Sequence, residues 1–260
     1  QTVYYAKEQA AKRGKKFLFT LTTNGLLLKD DVAKFLNEEM ENVVLSIDGR
    51  KEVHDNLRKT ISGQGSYDII IPKFKKLVNA RGGKNYYIRG TFTHNNVDFL
   101  KDILHMADLG FKELSMEPVV CAPNEPYALT EEDLPVIKEQ YEELAKEMIK
   151  RDSEGNGFTF YHYMLDLTHG PCIYKRLAGC GSGTEYLAVT PWGDLYPCHQ
   201  FVGDEKFKLG NVFDGINNTK VRANNYHATG SVLGTYKYGC ELLKKRIECA
   251  IMIKVAENAN

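Results

Sequence analysis

The stretch Asn42-Val43-Val44-Leu45-Ser46-Ile47-Asp48-Gly49 decides the fold prediction, because it reads as one short strand with an abrupt end. Its first part is rich in β-branched and aliphatic residues, which favour a strand, and Asp48-Gly49 is typical of a turn. Side chains alternate along a strand with a period of two, so Ser46 and Asp48 share one face. Polar groups on one face near the end of an apolar strand indicate a site for a polar ligand.

Similar strands lie on both sides of this stretch, and segments with helical apolar spacing separate them. We predict further strands at 16–22, 86–93 and 114–119, and helices at 30–40, 68–81, 97–109 and 130–151. Strands that alternate with helices of about 10 to 15 residues indicate βαβ units and a parallel sheet. The sequence therefore predicts an α/β fold, with a partial (β/α) TIM-like barrel over residues 1–128.

The remaining residues divide into three predicted segments with different textures. A connecting helix and linker occupy 129–169, and Thr130 with Asp133 has the spacing of a capping box at the start of that helix. A Cys-containing region with a β-hairpin around Pro191-Trp192-Gly193 covers 170–222. The tail, 223–260, matches no pattern that predicts an element.

The composition argues against several classes of partner. The 260 residues include 34 basic and 34 acidic side chains, so no pervasive positive field favours nucleic acid or a membrane surface. No apolar run approaches the roughly 18 residues that suggest a membrane span. No secretory signal pattern is present, so we expect a cytoplasmic protein in a reducing environment, where clustered cysteines are more often metal ligands than disulfides.

Four polar side chains are candidates for a ligand site at the ends of the predicted strands. In parallel α/β barrels, functional groups gather at the carboxyl ends of the strands, and Asn24, Ser46, Asp48 and Arg89 occupy such positions. The planar fork of Arg89 suits a carboxylate. Two simpler interpretations stay open: Asn24 and Asp48 precede glycines in turns that both residues favour, and Arg89 could form an ion pair with a nearby acid.

Three cysteines are candidates for a metal centre in the second half of the chain. Cys172, Cys180 and Cys198 are separated by 7 and 17 residues, and the predicted hairpin would fold Cys198 back toward Cys180. Thiolates held at rigid turns suit iron–sulfur clusters and zinc. A fourth position would remain for water, His199 or a substrate thiol. The alternative is that these are buried free thiols that act as small hydrophobic side chains.

At this point the sequence resembles a known family. Four segments in order resemble the central strands of radical S-adenosylmethionine (SAM) enzymes with a SPASM extension: Leu21-Thr22-Thr23-Asn24-Gly25, Leu45-Ser46-Ile47-Asp48-Gly49, His54-Asp55 and Arg58 leading to Gly65-Ser66-Tyr67-Asp68, and Ile88-Arg89-Gly90-Thr91-Phe92-Thr93. Residues 180–191, Cys198-His199-Gln200-Phe201 and 208–212 look closely like the maturases of SCIFF (six-cysteines-in-forty-five-residues) peptides. The resemblance covers about residues 1–222.

The resemblance implies a chemistry and a set of partners. Such enzymes use a reduced 4Fe-4S cluster to cleave SAM, and the resulting radical allows a substrate cysteine to form a thioether cross-link in a Cys-rich ribosomal peptide. It places Asn24, Ser46, Asp48 and Arg89 in the SAM pocket, with Arg89 at the methionine carboxylate. Cys172, Cys180 and Cys198 would hold an auxiliary cluster of the SPASM type. The implied partners are the Cys-rich precursor peptide and an electron donor such as flavodoxin or ferredoxin.

The sequence also departs from the family. The C-x3-C-x2-C motif that binds the SAM cluster is absent, and so is the C-x2-C-x5-C-x3-C run expected after about residue 225. We therefore expect a fragment without the N-terminal SAM-cluster region and the normal C-terminus, unable to cleave SAM alone. The alternative hypothesis is a non-catalytic barrel module that binds one iron–sulfur cluster or zinc ion through three cysteines. A metal-independent barrel enzyme, with Arg89 and Asp48 acting on a small acid, would leave the cysteines unexplained.

Overall fold

A computed structural model describes residues 1–164, 182–183 and 186–218 of the chain. The chain divides into two compact units. The first unit comprises residues 1–119 and 129–164, and the second comprises residues 120–128 and 165–260. The predicted tail, 223–260, lies outside the described residues.

Within the described residues, the first unit is an α/β structure with one parallel sheet. Its strands are β1 (Thr20–Thr23), β2 (Asn42–Ser46), β3 (Tyr86–Phe92), β4 (Glu113–Pro118) and β5 (Thr159–Phe160). Its helices are α1 (Thr2–Lys12), α2 (Asp30–Glu39), α3 (Lys51–Leu57), α4 (Tyr67–Asn79), α5 (Phe99–Asp108) and α6 (Leu134–Ser153). The strands follow one another in the sheet in chain order and all adjacent pairs are parallel, which confirms the α/β class and the parallel sheet.

The register of the three central strands gives the sheet two different faces. Leu45, Ile88 and Leu114 form one row of aligned residues, and each is at most 1% exposed. The next row is Ser46, Arg89 and Ser115. Side chains of adjacent residues point to opposite faces, so the apolar row packs in the core while the polar row lies on the other face. Burial of one face is what fixes the strand register.

A buried arginine ties the first unit together where β2 and β3 begin. Arg81 follows α4, and its guanidinium donates hydrogen bonds to two carbonyl oxygens, those of Met40 (3.3 Å) and Glu41 (3.1 Å). These two residues join α2 to β2. The Arg81 side chain also donates to Asn37 Oδ1 at 3.1 Å. The last carbonyls of a helix lack partners within the helix, so Arg81 satisfies these groups and holds the amino ends of the two strands.

Helix α6 belongs to the first unit, whereas the sequence predicts a separate connecting segment over 129–169. The Tyr141 ring of α6 packs edge-on against Phe99 of α5, with ring centroids 4.9 Å apart, and also contacts Phe160 of β5. The predicted capping box is present, since the Thr130 N–H donates to Asp133 Oδ2 at 2.8 Å. It begins a single 3-10 turn, Glu131–Asp133, that leads into α6. Helix α6 is therefore anchored at its start and along its apolar face.

The described part of the second unit contains a small antiparallel sheet. Its strands are β6 (Ala188–Val189), β7 (Asp194–Tyr196), β8 (Gly210–Asn211) and β9 (Gly215–Ile216). The predicted hairpin is formed by β6 and β7, with Val189 aligned to Leu195. Gly193 in its turn has φ +87°, a conformation that other residues rarely adopt. Among the described helices of both units, none is both long and apolar enough to cross a lipid bilayer.

We predict that Gly90→Ala destabilises the first unit. A Cβ at Gly90, on the buried face of β3, would lie 2.5 Å from the Ile47 carbonyl oxygen and 2.8 Å from Met116 Sδ. Main chain cannot move aside as a side-chain end can, so we expect a loss of about 1–3 kcal/mol in the free energy of unfolding, measured with urea.

The matched control is Thr91→Ala, the next residue on the opposite face of the same strand. The Thr91 side chain is half-buried, and its removal creates no overlap. We expect it to cost less than about 1 kcal/mol. Equal losses for the two variants would contradict the assignment of the strand faces.

Candidate functional site

The polar face of the sheet carries side chains from the carboxyl halves of three strands. We define the polar face by Ser46 of β2, Arg89 and Thr91 of β3, and Ser115 and Glu117 of β4. Arg89 aligns with Ser46 on one side and Ser115 on the other, and Thr91 aligns with Glu117. These residues lie at the end of a parallel sheet where α/β proteins place their ligands.

Arg89 and Ser46 are neighbours on adjacent strands. Arg89 is exposed and Ser46 is half-buried. Among the described residues, neither side chain has a hydrogen bond or an ion pair, so the open alternative of an acid paired with Arg89 is not found there. A guanidinium with unused donors beside a free hydroxyl offers several hydrogen-bond donors to one anionic group.

Glu117 is fixed as a carboxylate on the same face. Its Oε1 accepts a hydrogen bond from the Ser115 hydroxyl at 3.0 Å and lies 3.1 Å from His162 Nε2. Burial alone would raise the pKa of Glu117, but the contacts with His162 and Ser115 and the charge of Arg89 outweigh it and lower that pKa to about 2. The polar face therefore presents a permanent negative charge as well as the positive charge of Arg89.

Sequence reasoning missed Ser115, Glu117 and His162 as site residues. A signal existed for two of them, because Ser115 and Glu117 alternate on β4 as Arg89 and Thr91 do on β3. His162 gives no such signal, since it lies in a 3-10 turn, Tyr161–Tyr163, after the two-residue strand β5.

An aromatic pair adjoins the charged groups. Tyr87 lies two residues before Arg89 on β3, and its ring stacks on Tyr161 with centroids 5.9 Å apart and planes 15° from parallel. Burial raises the pKa of Tyr87. The polar face therefore combines charge with a flat aromatic surface.

Asp48 is buried and bonded within the fold. It is 1% exposed, and its oxygens accept two hydrogen bonds from the Arg58 guanidinium, at 2.5 and 2.9 Å. Its Oδ1 also accepts from the Thr91 N–H at 3.1 Å. These contacts satisfy the buried Asp48 carboxylate within the fold. A direct contact between Asp48 and a ligand stays a prediction.

His54 is buried and forms a hydrogen bond with the main chain of Asp48. Its Nδ1 accepts the Asp48 N–H at 3.3 Å, and its Nε2 lies 2.9 Å from the Ser66 hydroxyl. That hydroxyl donates to the Arg58 carbonyl oxygen at 2.6 Å, so it must accept a hydrogen bond from His54 Nε2–H. His54 is thus the neutral Nε2–H tautomer. Burial is the main reason why the pKa of His54 is lowered.

Asn24 stands in a turn at the end of β1. Its Oδ1 accepts the Leu26 N–H at 3.2 Å, and Gly25 has φ +76°. A Cβ at Gly25 would lie 2.4 Å from the Phe74 ring. This geometry supports the simpler interpretation of Asn24 as a turn residue, although its side chain is exposed and a ligand contact stays a prediction.

The structure describes one of the three proposed metal ligands. Cys198 is buried, and its Sγ lies 3.4 Å from His199 Nδ1. Cys172 and Cys180 lie outside the described residues, and within the described part of the chain no three His, Cys, Asp or Glu side chains are arranged to hold a metal ion. The Gly183 N–H donates to the Pro197 carbonyl oxygen at 3.0 Å, so the segment after Cys180 is held against the residue before Cys198.

Cys121 differs from these three cysteines. It is half-buried, and burial followed by the nearby charge of Glu125 raises the pKa of its thiol. A raised pKa disfavours the thiolate that metals bind, so we expect Cys121 to be structural.

We predict that the stability of the first unit falls when the pH drops below about 6.5, the ordinary pKa of histidine. Because the pKa of His54 is lowered in the folded state, the unfolded chain binds more protons in this range. The contribution of neutral His54 is complete above that pH and is lost as the pH falls through the folded-state pKa. Asp48 opposes the shift and Arg58 adds to it.

The measurement is the free energy of urea unfolding at several pH values between about 5 and 7. The control is His54→Asn, whose amide oxygen can accept from the Asp48 N–H without titrating. We expect a smaller pH dependence in this variant, while the other histidines contribute equally to both proteins. Identical pH dependences would contradict the lowered pKa of His54.

Sequence comparison finds two relatives with a known activity. The chain is 25% identical over 226 residues to the Cys-type anaerobic sulfatase-maturating enzyme of Clostridium novyi (strain NT), over 82% of this chain and 58% of that enzyme. It is also 25% identical to the Ser-type enzyme of Bacteroides thetaiotaomicron, over 77% of this chain and 52% of that enzyme. The chain thus spans somewhat more than half of each. No family model matches.

Structural comparison finds SAM-bound proteins of the same fold. The native enzyme anSMEcpe with bound AdoMet (SAM) matches with a TM-score of 0.66 and 24% identity, over 86% of this chain and 61% of that one. Its complex with AdoMet and the Kp18Cys peptide matches with a TM-score of 0.61 and 21% identity, over 92% and 71%. Streptococcus suis SuiB bound to S-adenosylmethionine matches with a TM-score of 0.52 and 19% identity, over 75% and 45%. The chain is therefore similar in sequence to anaerobic sulfatase-maturating enzymes and shares its α/β fold with these SAM-bound structures.

Proposed function

We propose that this chain is the SAM-binding part of a radical SAM maturase that modifies a peptide. The observation that carries the proposal is the Arg89–Ser46 pair, whose donors are unused on the polar face of a fold shared with SAM-bound structures. Since the chain spans little more than half of its curated relatives, the reaction of the whole enzyme is part of the proposal.

The donor set of the polar face suits the amino-acid end of SAM. Arg89 and Ser46 would donate hydrogen bonds to the carboxylate, and a guanidinium binds such a group through two parallel bonds. SAM also carries positive charge on its sulfonium and amino groups. The fixed carboxylate of Glu117, with its pKa at about 2, would stabilise that charge across the working pH range.

When bound, SAM and a reduced 4Fe-4S cluster supply the radical that abstracts hydrogen from the substrate. The role of this chain is to bind and orient SAM. The sequence contains no C-x3-C-x2-C motif, so we expect no 5'-deoxyadenosine from this chain alone under reducing conditions.

Cys172, Cys180 and Cys198 are proposed to hold one auxiliary 4Fe-4S cluster of the SPASM type. The supporting contact is the hydrogen bond from Gly183 to Pro197, which links the segments that follow Cys180 and precede Cys198. Cysteine thiolates are the usual ligands of such clusters. Substrate thiol, water or His199 would complete the fourth position.

The substrate is proposed to be a Cys-rich ribosomal peptide that receives a thioether cross-link. The resemblance of residues 180–212 to SCIFF maturases supports this substrate, and anSMEcpe is known with a bound Cys-containing peptide. A flavodoxin or ferredoxin in the cytoplasm would supply the electrons. A sulfatase is the competing substrate, since it is the target of the curated relatives.

A second candidate is a binding module that holds one iron–sulfur cluster or zinc ion without radical chemistry. Three thiolates suit a zinc site as well as an iron–sulfur cluster. Colourless zinc in place of iron and sulfide would support the module over the maturase.

We predict that Arg89→Ala weakens SAM binding by at least about tenfold, because it removes a charge-assisted pair of hydrogen bonds. Arg89→Lys should bind with intermediate affinity, since an ammonium keeps the charge but not the fork. Titration calorimetry with SAM measures both. The control is Arg13→Ala, an exposed arginine just after α1 whose guanidinium donates hydrogen bonds to Gln9.

An unchanged SAM affinity in Arg89→Ala would contradict the proposal, because the Arg89–Ser46 pair is the observation that carries it. An equal loss in Arg13→Ala would indicate a nonspecific effect of surface charge.

We also predict that Cys198→Ala loses most of the iron and sulfide that the parent chain takes up on anaerobic reconstitution, because the cluster would lose one of its thiolates. Cys121→Ala is the matched control and should keep the parent's iron content. Iron and sulfide analysis with the visible spectrum makes the comparison. Equal iron in both variants would exclude Cys198 as a ligand.

A further inference from the structure

We propose that Arg58 is a positioning residue for the ligand site: through Asp48, it holds the carboxyl ends of β2 and β3 together so that Ser46 and Arg89 stay side by side. The inference rests on the proposed function, because it concerns the same SAM site. It does not require Arg58 to touch the ligand.

The first support is the way in which the β2–β3 ladder ends. The Ile47 N–H donates to the Arg89 carbonyl oxygen at 3.1 Å, directly beside the Ser46–Arg89 pair. At the next position the Thr91 N–H donates to the Asp48 side chain instead of to main chain. The Asp48 carboxylate thus provides the hydrogen bond that closes the ladder two residues beyond the ligand pair.

The second support is that this closing bond depends on Arg58. The Asp48 side chain is 2% exposed, and Arg58 donates to both of its oxygens at 2.5 and 2.9 Å. A buried carboxylate is costly unless it is paired. Loss of Arg58 would therefore favour movement of Asp48 toward water, and that movement would weaken the bond to Thr91.

The third support is that the fold holds Arg58 in place. Its N–H donates to the His54 carbonyl oxygen at 2.8 Å, and its own carbonyl oxygen accepts from Ser66. His54 in turn links Ser66 to the Asp48 N–H. The hydrogen bonds form a closed ring through Asp48, Arg58, Ser66 and His54, and the ring branches to β3 at Thr91.

The chain supplies its own control for a purely structural role. Arg81 also stabilises this part of the sheet, but it donates to the main-chain carbonyls of Met40 and Glu41, before the amino end of β2. Both arginines stabilise the fold. The inference predicts that Arg58 alone also affects the ligand site.

The experiment compares Arg58→Gln, Arg81→Gln, Arg89→Ala and the double variant Arg58→Gln/Arg89→Ala with the parent chain. Titration calorimetry with SAM gives affinities, and urea unfolding gives stabilities. We expect Arg58→Gln to bind about tenfold more weakly, comparable to the loss of one charge-assisted hydrogen bond. Arg81→Gln should lose stability but keep its affinity within about twofold, because it acts far from the site.

The double variant separates positioning from general damage. If Arg58 acts by positioning Arg89, then Arg58→Gln should weaken binding further by less than about twofold once Arg89 is absent. Should Arg58→Gln fail to fold, Arg58→Lys takes its place, since lysine pairs with Asp48 as a point charge but cannot form the fork. It should fold and show a smaller loss of affinity.

The possible negative results contradict different claims. If the parent does not bind SAM, the proposed function falls and this inference falls with it. If Arg89→Ala loses affinity while Arg58→Gln keeps it, only the positioning role is overturned. Additive losses in the double variant, or equal losses in Arg58→Gln and Arg81→Gln, would also overturn it.

Discussion

The parallel register of β2, β3 and β4 is the constraint on which the rest of the structure depends. It aligns Leu45, Ile88 and Leu114 in the core, and it thereby aligns Ser46 with Arg89 on the opposite face. Each fully buried aliphatic side chain contributes about 1.5–3 kcal/mol. A one-residue slip of β3 would bring Arg89 under the helices, so the packing of one face determines the positions of the polar groups on the other.

Charged side chains near the carboxyl end of the sheet fall into two classes. Asp48 pairs with Arg58, and Glu117 pairs with His162, so both carboxylates are satisfied within the first unit. Arg89 has no such partner in the described part of the chain. Buried charges need partners to be tolerated, whereas an exposed charge without one is free to bind a ligand. This contrast identifies Arg89 as the group that can contact an anion.

Much of the first unit could be predicted from the sequence, because its signals are local. Alternation with a period of two predicts β2, β3 and β4, and Thr130 with Asp133 predicts the start of the segment that contains α6. Short elements gave too few residues for any periodicity, so the two-residue strand β5 was missed. Of the small sheet in the second unit, only the β6–β7 hairpin was predicted, because its turn has a recognisable sequence.

The site was less predictable because its interactions are not local. Sequence could not decide whether Asp48 binds a ligand or an arginine, since the pairing with Arg58 and Thr91 depends on how α3 returns the chain to the sheet. The role of Glu117 depends on His162. This histidine follows α6 in the chain and lies next to Glu117 only in the folded structure. Arg89 could be selected from the sequence alone, because an arginine inside a strand is unusual whatever its partners.

The most direct test of the central claim is a crystal structure of the chain with bound SAM. We expect the SAM carboxylate on the polar face, with the Arg89 guanidinium and the Ser46 hydroxyl within about 3 Å of its oxygens. SAM bound elsewhere, or bound with its carboxylate away from Arg89, would contradict the account.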